Sequence, residues 1–289
     1  MVKTSRSGCK INWFLKVTGK RENGYHDIVT LFQYLESPTD IIEIDFDAAP
    51  GTRVSCDRPG LPQDSDNLAG KAAEAYARTA GISPCWKIFI RKGVPSSAGL
   101  GGGSADAGTV LRLLNEHYGL LTKPELIETA AKIGADVPFF LSPGLSLAEG
   151  IGEKMTAFPQ TEKLPPFLIV FPGFPVSARW AYCNMAKERI APVQDDVAEK
   201  LLSALQKNDA VSLAELMHND LEYALFDKFP LLEVLRQSLT SSGALRVMVS
   251  GSGSSLIALF SDKETRQRAA AEIKTLLNDP VSAVFELGE

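Results

Sequence analysis

The residues from 95 to 108, PSSAGLGGGSADAG, contain four glycines within five positions, Gly99 and Gly101 to Gly103. Glycine has no Cβ, so such a segment can bring its backbone close to a ligand. The segment leads directly into a helix predicted for Ser104 to Leu114, whose first turn offers unpaired N–H groups and a partial positive charge. The pattern therefore predicts a site for an anion, most often a phosphate.

This glycine loop departs from the best-known phosphate-binding patterns. A Walker A loop ends in Lys-Ser or Lys-Thr, whereas Ser104, Ala105 and Asp106 follow these glycines. A dinucleotide fingerprint needs glycine at its sixth position, and counted from Gly99 that position is Ser104. The HRD and DFG triplets of protein kinases do not occur in the sequence. A flexible turn between a strand and a helix is the alternative interpretation of the loop.

Two polar residues near the N-terminus share a predicted strand. From Cys9 to Val17 apolar residues alternate with others, and this period of two predicts a strand with Lys10 and Asn12 on the same face. A turn follows at residues 19 to 24, ending in the Asn-Gly pair typical of hairpins. The strand and turn could therefore present several polar groups to one ligand.

Hydrophobic periodicity and turn residues predict the elements that must position these groups. We predict strands at 28–35, 41–46, 86–92, 145–151, 167–171, 247–249 and 256–260, and helices at 66–81, 104–114, 124–133 and 264–277. Strands occur both in succession and between helices, so the class is mixed α+β or α/β. A polar, proline-bearing stretch near 160–166 predicts a boundary between two domains, 1–160 and 161–289.

Composition narrows the classes of partner. The net charge is −5 and the pI is near 5.4, which argues against a nucleic-acid partner. No run approaches the ~18 apolar residues of a membrane span, and no apolar signal core marks the N-terminus. The four cysteines are scattered and the three histidines lack metal-ligand spacing. We therefore expect a reduced cytoplasmic protein without a zinc site, although two disulfides are possible on number alone.

Three stretches in combination resemble the GHMP kinases, a family of small-molecule kinases. They are KINWFLKVTGKRENGYH at 10 to 26, the glycine loop, and a late glycine-serine loop from Ser250 to Ser255. Pro95 to Ala107 matches the family's central motif. The first stretch, together with IGADVPFFL at 133 to 141, is similar to the branch that phosphorylates a cytidylyl methylerythritol in the non-mevalonate isoprenoid pathway.

The resemblance implies a fold and a reaction. The fold would be α+β with two domains, the N-terminal one like a fold found in ribosomal proteins and the C-terminal one ferredoxin-like, with the active site in the cleft between them. The reaction would be transfer of a phosphoryl group from ATP, with Mg²⁺, to the 2-hydroxyl of a small-molecule cytidylyl substrate. A monomer or weak homodimer in the cytoplasm, bound to neither membrane nor nucleic acid, is expected.

The resemblance also implies roles for individual residues. Lys10 and Asp136 would be catalytic, with Asp136 accepting the hydroxyl proton and Lys10 stabilising charge. Tyr25 would stack on the cytosine and His26 would read its edge, with Asn12, Ser177 and Tyr182 as further substrate contacts. The ATP-binding residues would be Pro95, Ser96, Ser97, Ala98, Gly99, Leu100, Gly101, Gly102, Gly103, Ser104 and Ala105. The Mg²⁺ would be shared between Ser104 and waters.

Each of these residues has a structural alternative when taken alone. Lys10 could be a solvated lysine, and Asp136 could cap a short helix that has Pro138 in its first turn. The chain also departs from the family pattern, because Ala178 stands where a hydroxyl is common, which puts that substrate contact in doubt. Cys9 stands where alanine is usual.

Other functions fit parts of the same pattern. A GHMP kinase for homoserine or a mevalonate is one, but those substrates lack a base for Tyr25 to stack on. A non-catalytic ligand-binding module is another, and the presence of both Lys10 and Asp136 argues against it. An RNA-binding domain is a third, and the acidic charge argues against that.

Overall fold

The structure is a computed structural model that describes residues 1–161, 163–186, 188, 190–191, 193 and 196–288. The described strands are β1 Val2–Lys20, β2 His26–Asp45, β3 Gly51–Cys56, β4 Cys85–Arg91, β5 Leu145–Gly150, β6 Lys154–Phe158, β7 Phe167–Phe171, β8 His218–Asn219, β9 Arg246–Val249, β10 Leu256–Leu259 and β11 Ala283–Leu287. The described helices are α1 Leu68–Ala80, α2 Gly102–Tyr118, α3 Lys123–Ile133, α4 Ala178–Asn184, α5 Val197–Gln206, α6 Ala210–Leu216, α7 Glu222–Lys228, α8 Pro230–Ser241 and α9 Lys263–Leu277.

The chain forms two compact units that interleave along the sequence. The first unit contains Met1–Lys10, Tyr34–Ser96 and Gly101–Pro143. The second unit contains Ile11–Gln33, Ser97–Leu100 and the chain from Gly144 onward. Each unit has its own hydrophobic core.

The first unit packs helices on a sheet. In this sheet β3 pairs with β4 in parallel, and β4 pairs with the end of β2 in antiparallel, with Ile42 opposite Ile90. Apolar residues of the strands and of α1, α2 and α3 meet in a buried core, which includes Ile42, Ile44, Ile88, Ala72, Tyr76, Val110, Leu111, Leu114 and Ala130. Burial of this apolar surface is the main stabilising contribution.

The second unit contains a four-stranded antiparallel sheet with the order β11-β7-β10-β9. All five residues of β7 are buried, as expected for a central strand of a covered sheet. The core joins this sheet to α8 and α9 and includes Leu168, Val170, Val249, Leu256, Leu232, Leu235, Ala269 and Ile273. In the same unit β2 pairs with β5, β5 pairs with β6, and β1 pairs with β8 in parallel.

Several predicted elements differ in extent from the observed ones. The two strands predicted at 28–35 and 41–46 are one continuous strand, β2. The predicted helix 104–114 is longer at both ends, because α2 begins at Gly102 and continues to Tyr118. The sequence analysis missed β3, β6, β8 and β11, since such short strands lack a clear alternation.

The structure bears on two further features, membrane-spanning helices and disulfides. No helix within the described residues combines the length and apolar character needed to cross a bilayer. Cys9, Cys56, Cys85 and Cys183 are all free thiols. The structure therefore contains neither of the two disulfides that the cysteine number allowed.

Local signals define the ends of α1. The Asn67 side chain caps its N-terminus by accepting a hydrogen bond from the Ala69 N–H at 2.9 Å. The helix ends at Gly81, whose φ of 66° lies in the left-handed region that favours glycine.

We expect Asn67→Ala to lower the free energy of unfolding by about 0.5–2 kcal/mol, because the capping acceptor is lost. Urea unfolding followed by circular dichroism would measure this. Lys71→Ala, at an exposed position of the same helix, is the control and should change stability by less than about 0.5 kcal/mol. Equal effects of the two substitutions would contradict the capping role.

Candidate functional site

The start of α2 in the first unit provides the predicted anion site. Gly101 precedes the helix with a φ of 70°, and no side chain caps the helix there. The first helical hydrogen bond runs from the Ala105 N–H to the Gly101 carbonyl oxygen at 2.9 Å. The N–H groups of Gly102, Gly103 and Ser104 therefore have no partner within the helix and can bind an anion.

Lys10 and Asp136 lie together in the first unit. The Lys10 Nζ is 3.6 Å from the Asp136 Oδ2, and the exposed fractions of the two side chains are 7% and 34%. Asp136 precedes a 3₁₀ turn at Pro138–Leu141, but the N-cap residue of that turn is Val137, which argues against the capping alternative. A mostly buried ammonium and a more accessible carboxylate thus form an ion pair.

Gly101 connects this ion pair with the anion site. A Cβ at Gly101 would lie 3.0 Å from the Lys10 Cγ and 3.2 Å from the Phe140 Cζ. The absence of a side chain therefore makes room for the lysine stem beside the start of α2. The first unit accordingly brings together Lys10, Asp136 and the second half of the glycine loop.

The first half of the glycine loop belongs to the second unit and contacts the glycine-serine loop. The Ser255 N–H donates to the Ala98 carbonyl oxygen at 3.1 Å, and the Ser250 hydroxyl donates to the Gly99 carbonyl oxygen at 3.1 Å. A Cβ at Gly99 would lie only 2.0 Å from the Ser250 carbonyl oxygen. The two glycine-rich stretches found in the sequence therefore form one contact between backbones.

The segment before α4 also binds this half of the loop. The Val176 N–H donates to the Ser97 carbonyl oxygen at 3.0 Å, and the Ser254 hydroxyl donates to the Phe174 carbonyl oxygen. Ser97 itself has a φ of 50°, a conformation uncommon for a residue other than glycine. Within the second unit, two other stretches of the sequence, residues 174–176 and 250–255, thus hold the backbone of residues 97 to 99.

Asn219 is a residue that the sequence analysis missed. It is buried, and its side-chain amide donates to the carbonyl oxygens of Val249 and Gly251, both at 2.8 Å. Its side-chain oxygen accepts from the Leu221 N–H at 2.9 Å. Asn219 therefore holds the glycine-serine loop in place. A buried asparagine of this kind has no motif of its own, so only the fold reveals its role.

The predicted base-binding residues lie in the second unit. Tyr25 is 58% exposed, whereas His26 is buried and stacks on Tyr182, with ring centroids 5.5 Å apart and planes 22° from parallel. Burial, and then the nearby charge of Lys20, lower the pKa of His26 below its ordinary value of 6.5. At neutral pH the imidazole is therefore uncharged and offers one donor and one acceptor.

The turn that presents Tyr25 and His26 is held by Arg21. The Arg21 N–H donates to the Tyr25 carbonyl oxygen at 2.8 Å, and the Arg21 guanidinium donates twice to the Asp27 Oδ1, at 2.9 and 2.6 Å. The guanidinium also lies 4.0 Å from Glu153, whose carboxylate accepts from the Ile151 N–H. The Asn-Gly pair predicted this turn, but the ion pairs of Arg21 with Asp27 and Glu153 had no signal in the sequence.

Two other predicted substrate residues have structural partners. The Asn12 amide is buried and donates to the Thr30 hydroxyl at 2.7 Å. The exposed Ser177 is the N-cap residue of α4 and accepts from the Trp180 N–H at 3.4 Å. In the glycine loop Pro95, Ala98, Leu100, Gly102 and Ala105 are buried, Ser97 and Gly103 are exposed, and Ser96, Gly99, Gly101 and Ser104 are intermediate.

Models of one family match both halves of the chain. GHMP kinases N terminal domain matches residues 67–144, and GHMP kinases C terminal matches residues 201–279. The first match includes the glycine loop and Asp136, and the second includes Asn219 and the glycine-serine loop.

Full-length relatives are similar over nearly the whole chain. A 4-diphosphocytidyl-2-C-methyl-D-erythritol kinase of a Geobacter species is 40% identical over 92% of each chain. The enzyme of the same name from Syntrophotalea carbinolica is 41% identical over 91% of each chain. A crystal structure of 4-(cytidine 5'-diphospho)-2C-methyl-D-erythritol kinase has a TM-score of 0.80 at 31% identity and covers 99% of this chain and 98% of that one.

Gly99 packs closely against the Ser250 carbonyl oxygen, so its substitution should lower the stability of the fold. Gly99 and Gly119 have similar positive φ values, 77° and 66°, but a Cβ at Gly119 would meet nothing within 4 Å. We expect both substitutions by alanine to cost about 1–2 kcal/mol for the left-handed conformation. Gly99→Ala should cost about 1–3 kcal/mol more, because its Cβ overlaps the Ser250 carbonyl oxygen. Denaturant unfolding of the two variants would measure the difference. Equal losses in the free energy of unfolding would show that the close contact at Gly99 does not contribute to stability.

Proposed function

The chain belongs to the GHMP kinase family, and from this premise we propose that it is a 4-diphosphocytidyl-2-C-methyl-D-erythritol kinase. It transfers the γ-phosphoryl group of ATP to the 2-hydroxyl of that acceptor and gives the 2-phosphate and ADP, a step in the non-mevalonate route to isoprenoid precursors. The observation that carries the proposal is the Lys10–Asp136 ion pair beside the start of α2. The likeness to relatives of that name supports the choice of acceptor.

The chemistry of the ion pair suits phosphoryl transfer, which depends on positioning and on charge stabilisation more than on covalent catalysis. The acceptor oxygen forms a bond to the γ-phosphorus while the bond from that phosphorus to the β–γ bridging oxygen breaks. The partly accessible carboxylate of Asp136 takes the hydroxyl proton. The ammonium of Lys10 stabilises negative charge on the attacking oxygen and on the transferred group.

The amides of Gly102, Gly103 and Ser104 are the proposed donors to the ATP phosphates. In the described part of the chain no three His, Cys, Asp or Glu side chains group together as metal ligands. A single hydroxyl beside a phosphate site suits Mg²⁺, because Mg²⁺ keeps several waters and binds mainly to substrate phosphates. The Ser104 hydroxyl is the ligand that the chain would supply. A bound Mg²⁺ would neutralise part of the charge on the β- and γ-phosphates.

The aromatic residues of the second unit are the proposed site for the cytosine. The exposed Tyr25 ring offers a face for stacking, and the uncharged His26 offers a donor and an acceptor to the base edge. Tyr182, stacked on His26, keeps that imidazole in place. Asn12 and Ser177 are proposed as contacts to the rest of the acceptor.

We also propose that the enzyme acts in the cytoplasm as a monomer or weak homodimer. The proposed location follows from the need of the reaction for ATP. The four free thiols also suit the cytoplasm, because thiols stay reduced there.

An ATP-consumption assay across several acceptors tests the proposed function. The cytidylyl methylerythritol, homoserine and mevalonate would each be supplied with MgATP, and the products identified by mass spectrometry. We expect phosphorylation of the cytidylyl acceptor with a kcat/KM far above that of the others. Preference for homoserine or mevalonate would assign the chain to another member of the family, and no turnover with any acceptor would favour a non-catalytic module.

We expect Asp136→Asn to lower kcat by about 10²-fold or more, because the variant has no base for the hydroxyl proton. Steady-state kinetics would measure turnover, and calorimetry would show that MgATP still binds. Asp227→Asn, which changes an exposed carboxylate of α7, is the control and should be as active as the wild type. Full activity of Asp136→Asn would remove this carboxylate from the mechanism.

We expect Tyr25→Ala to raise the KM for the cytidylyl acceptor about tenfold, since base stacking is worth ~1–3 kcal/mol. The KM for ATP should change by less than about twofold. Tyr223→Ala removes a ring of similar exposure, 64% against 58%, and should alter neither constant. If Tyr25→Ala raises both KM values equally, Tyr25 is not the surface that stacks on the base.

A further inference from the structure

A buried asparagine on a short strand of the second unit connects β1 with the glycine-serine loop. Asn219 is 1% exposed and lies in β8, which pairs in parallel with β1, where Leu15 is opposite Asn219. The next residue extends this attachment. The Asp220 N–H donates to the Leu15 carbonyl oxygen at 3.0 Å, and the Asp220 Oδ2 accepts from the Val17 N–H at 2.8 Å. The backbone of Asn219 is therefore fixed to the part of β1 that belongs to the second unit.

The Asn219 side chain holds the start of the glycine-serine loop. Its amide group donates to the carbonyl oxygens of Val249 and Gly251, both at 2.8 Å. Gly251 and Gly253 have φ values of 52° and 80°, in the left-handed region. Because a glycine backbone can reach many conformations, the loop residues alone do not select this one. The two hydrogen bonds from Asn219 supply that selection.

The glycine-serine loop in turn sets the direction of two peptide groups in the glycine loop. The Ala98 carbonyl oxygen accepts from the Ser255 N–H, and the Gly99 carbonyl oxygen accepts from the Ser250 hydroxyl, both at 3.1 Å. The peptide bonds that follow Ala98 and Gly99 are trans. In a planar trans peptide the N–H points opposite to the carbonyl oxygen. The N–H groups of Gly99 and Leu100 therefore point away from the glycine-serine loop.

The Gly99 N–H is available as a donor to a ligand. It has no backbone acceptor among the described residues, and Gly99 is only half-buried. A backbone N–H held in this way can donate to a phosphate oxygen. The ligand itself would then receive a hydrogen bond whose direction the glycine-serine loop has set.

Close packing transmits the position of the glycine-serine loop to Gly99. A Cβ at Gly99 would lie 2.0 Å from the Ser250 carbonyl oxygen and 2.9 Å from the Gly253 nitrogen. A displacement of the loop must therefore move Gly99 as well. The contact from the segment before α4 holds a different peptide group, because the Val176 N–H donates to the Ser97 carbonyl oxygen. Asn219 thus acts on the peptide groups of Ala98 and Gly99.

We propose that Asn219 is a positioning residue for the nucleotide, which aims the Gly99 N–H at a phosphate oxygen of ATP through the glycine-serine loop. The inference rests on the proposed binding of ATP to the glycine loop. The amide group of Asn219 donates within the protein, so Asn219 takes no part in the chemical step. A donor that is ordered before the ligand arrives costs less entropy on binding. Loss of Asn219 therefore weakens the binding of MgATP and leaves the acceptor contacts unchanged.

Calorimetric titration with MgATP and steady-state kinetics test this role with Asn219→Leu, which keeps the size of the side chain and removes its donors. We expect the Kd and the KM for MgATP to rise about five- to tenfold, because the two hydrogen bonds that order the loop are lost. The KM for the cytidylyl acceptor should stay within about twofold of the wild-type value. An equal rise of both KM values would contradict the inference.

Asn115→Leu is the matched control for a general loss of stability. The Asn115 amide donates to the Leu121 carbonyl oxygen and its oxygen accepts from the Leu121 N–H, both at 3.0 Å, so Asn115 closes a turn after the C-terminal end of α2. We expect this variant to lose stability and to keep a Kd for MgATP within about twofold of the wild type. If Asn115→Leu weakens MgATP binding as much as Asn219→Leu does, the inference is wrong.

A double-mutant cycle with Ser250→Ala tests the route from Asn219 to the glycine loop. Ser250→Ala removes the hydroxyl donor to the Gly99 carbonyl oxygen and should raise the Kd for MgATP about two- to threefold. Because both substitutions act on the same contact, the rise in the double variant should be smaller than the product of the two single rises. Single rises that multiply would overturn the inference.

The remaining outcomes separate the inference from the proposed function. A wild type that does not bind MgATP would overturn both, whereas a folded Asn219→Leu with the wild-type Kd would overturn the inference alone. Should Asn219→Leu fail to fold, hydrogen exchange of the Asn219 side-chain amide in the wild type supplies the test. By linkage, MgATP should slow this exchange, because it favours the ordered loop. An unchanged exchange rate at saturating MgATP would contradict the inference.

Discussion

The space left by the missing side chain at Gly101 determines where Lys10 can lie. A Cβ at this position would lie 3.0 Å from the Lys10 Cγ and 3.2 Å from the Phe140 Cζ, closer than an ordinary contact. The ammonium can then reach Asp136 while the stem stays buried. The left-handed backbone at this glycine also sets the start of α2. One small residue thus fixes both the cation and the helix end on which the proposed chemistry relies.

The first unit contains two buried lysines whose surroundings differ in charge. Lys10 faces one carboxylate that is about a third exposed, so the carboxylate can reach a ligand. Lys92 faces two carboxylates that solvent hardly reaches, so its pairs are internal. Burying a charge is costly unless it is paired and hydrogen-bonded. Lys10 is paired with one carboxylate, whereas Lys92 is paired with two. The accessible Lys10–Asp136 pair is suited to the proposed reaction. The enclosed Lys92 pairs are suited to a structural role, since Asp40 also accepts hydrogen bonds from the backbone of Gly93 and Val94.

Some features of the fold are visible in the sequence because they are local or occur in the order of a family motif. The family and the two-domain α+β fold are confirmed, and they were accessible because Gly99, Gly101 and the glycine-serine loop occur in the family's order. Strand β7 was predicted with its observed bounds, since it is an apolar run between turn residues. The extent of β2 was wrong because Pro38 interrupts its pattern. The domain boundary and the roles of the site residues stay predictions.

Other parts of the site could not be read from the sequence. Asp40 is one of several acidic residues of β2, so no local sign in the sequence indicates that this one is buried and paired. Its partners Lys92 and Asp106 are far from it along the chain, so only the fold brings them together. Asn219 looks like any polar residue between two helices, although it holds a loop more than thirty residues later. Contacts between residues that are far apart in the sequence produce no hydrophobic periodicity, so the sequence does not reveal them.

The turn around Tyr25, the proposed site of base stacking, has a consequence for how preference for the acceptor evolves. Arg21, Asp27 and the turn between them hold one another with contacts that lie almost entirely within a few consecutive residues. Residues 21–25 are exposed or half-buried, so substitutions in this turn leave the residues of the hydrophobic core unchanged. A lineage can thus change the proposed contact to the acceptor base at Tyr25 while Lys10 and Asp136, the proposed phosphoryl-transfer groups, stay the same.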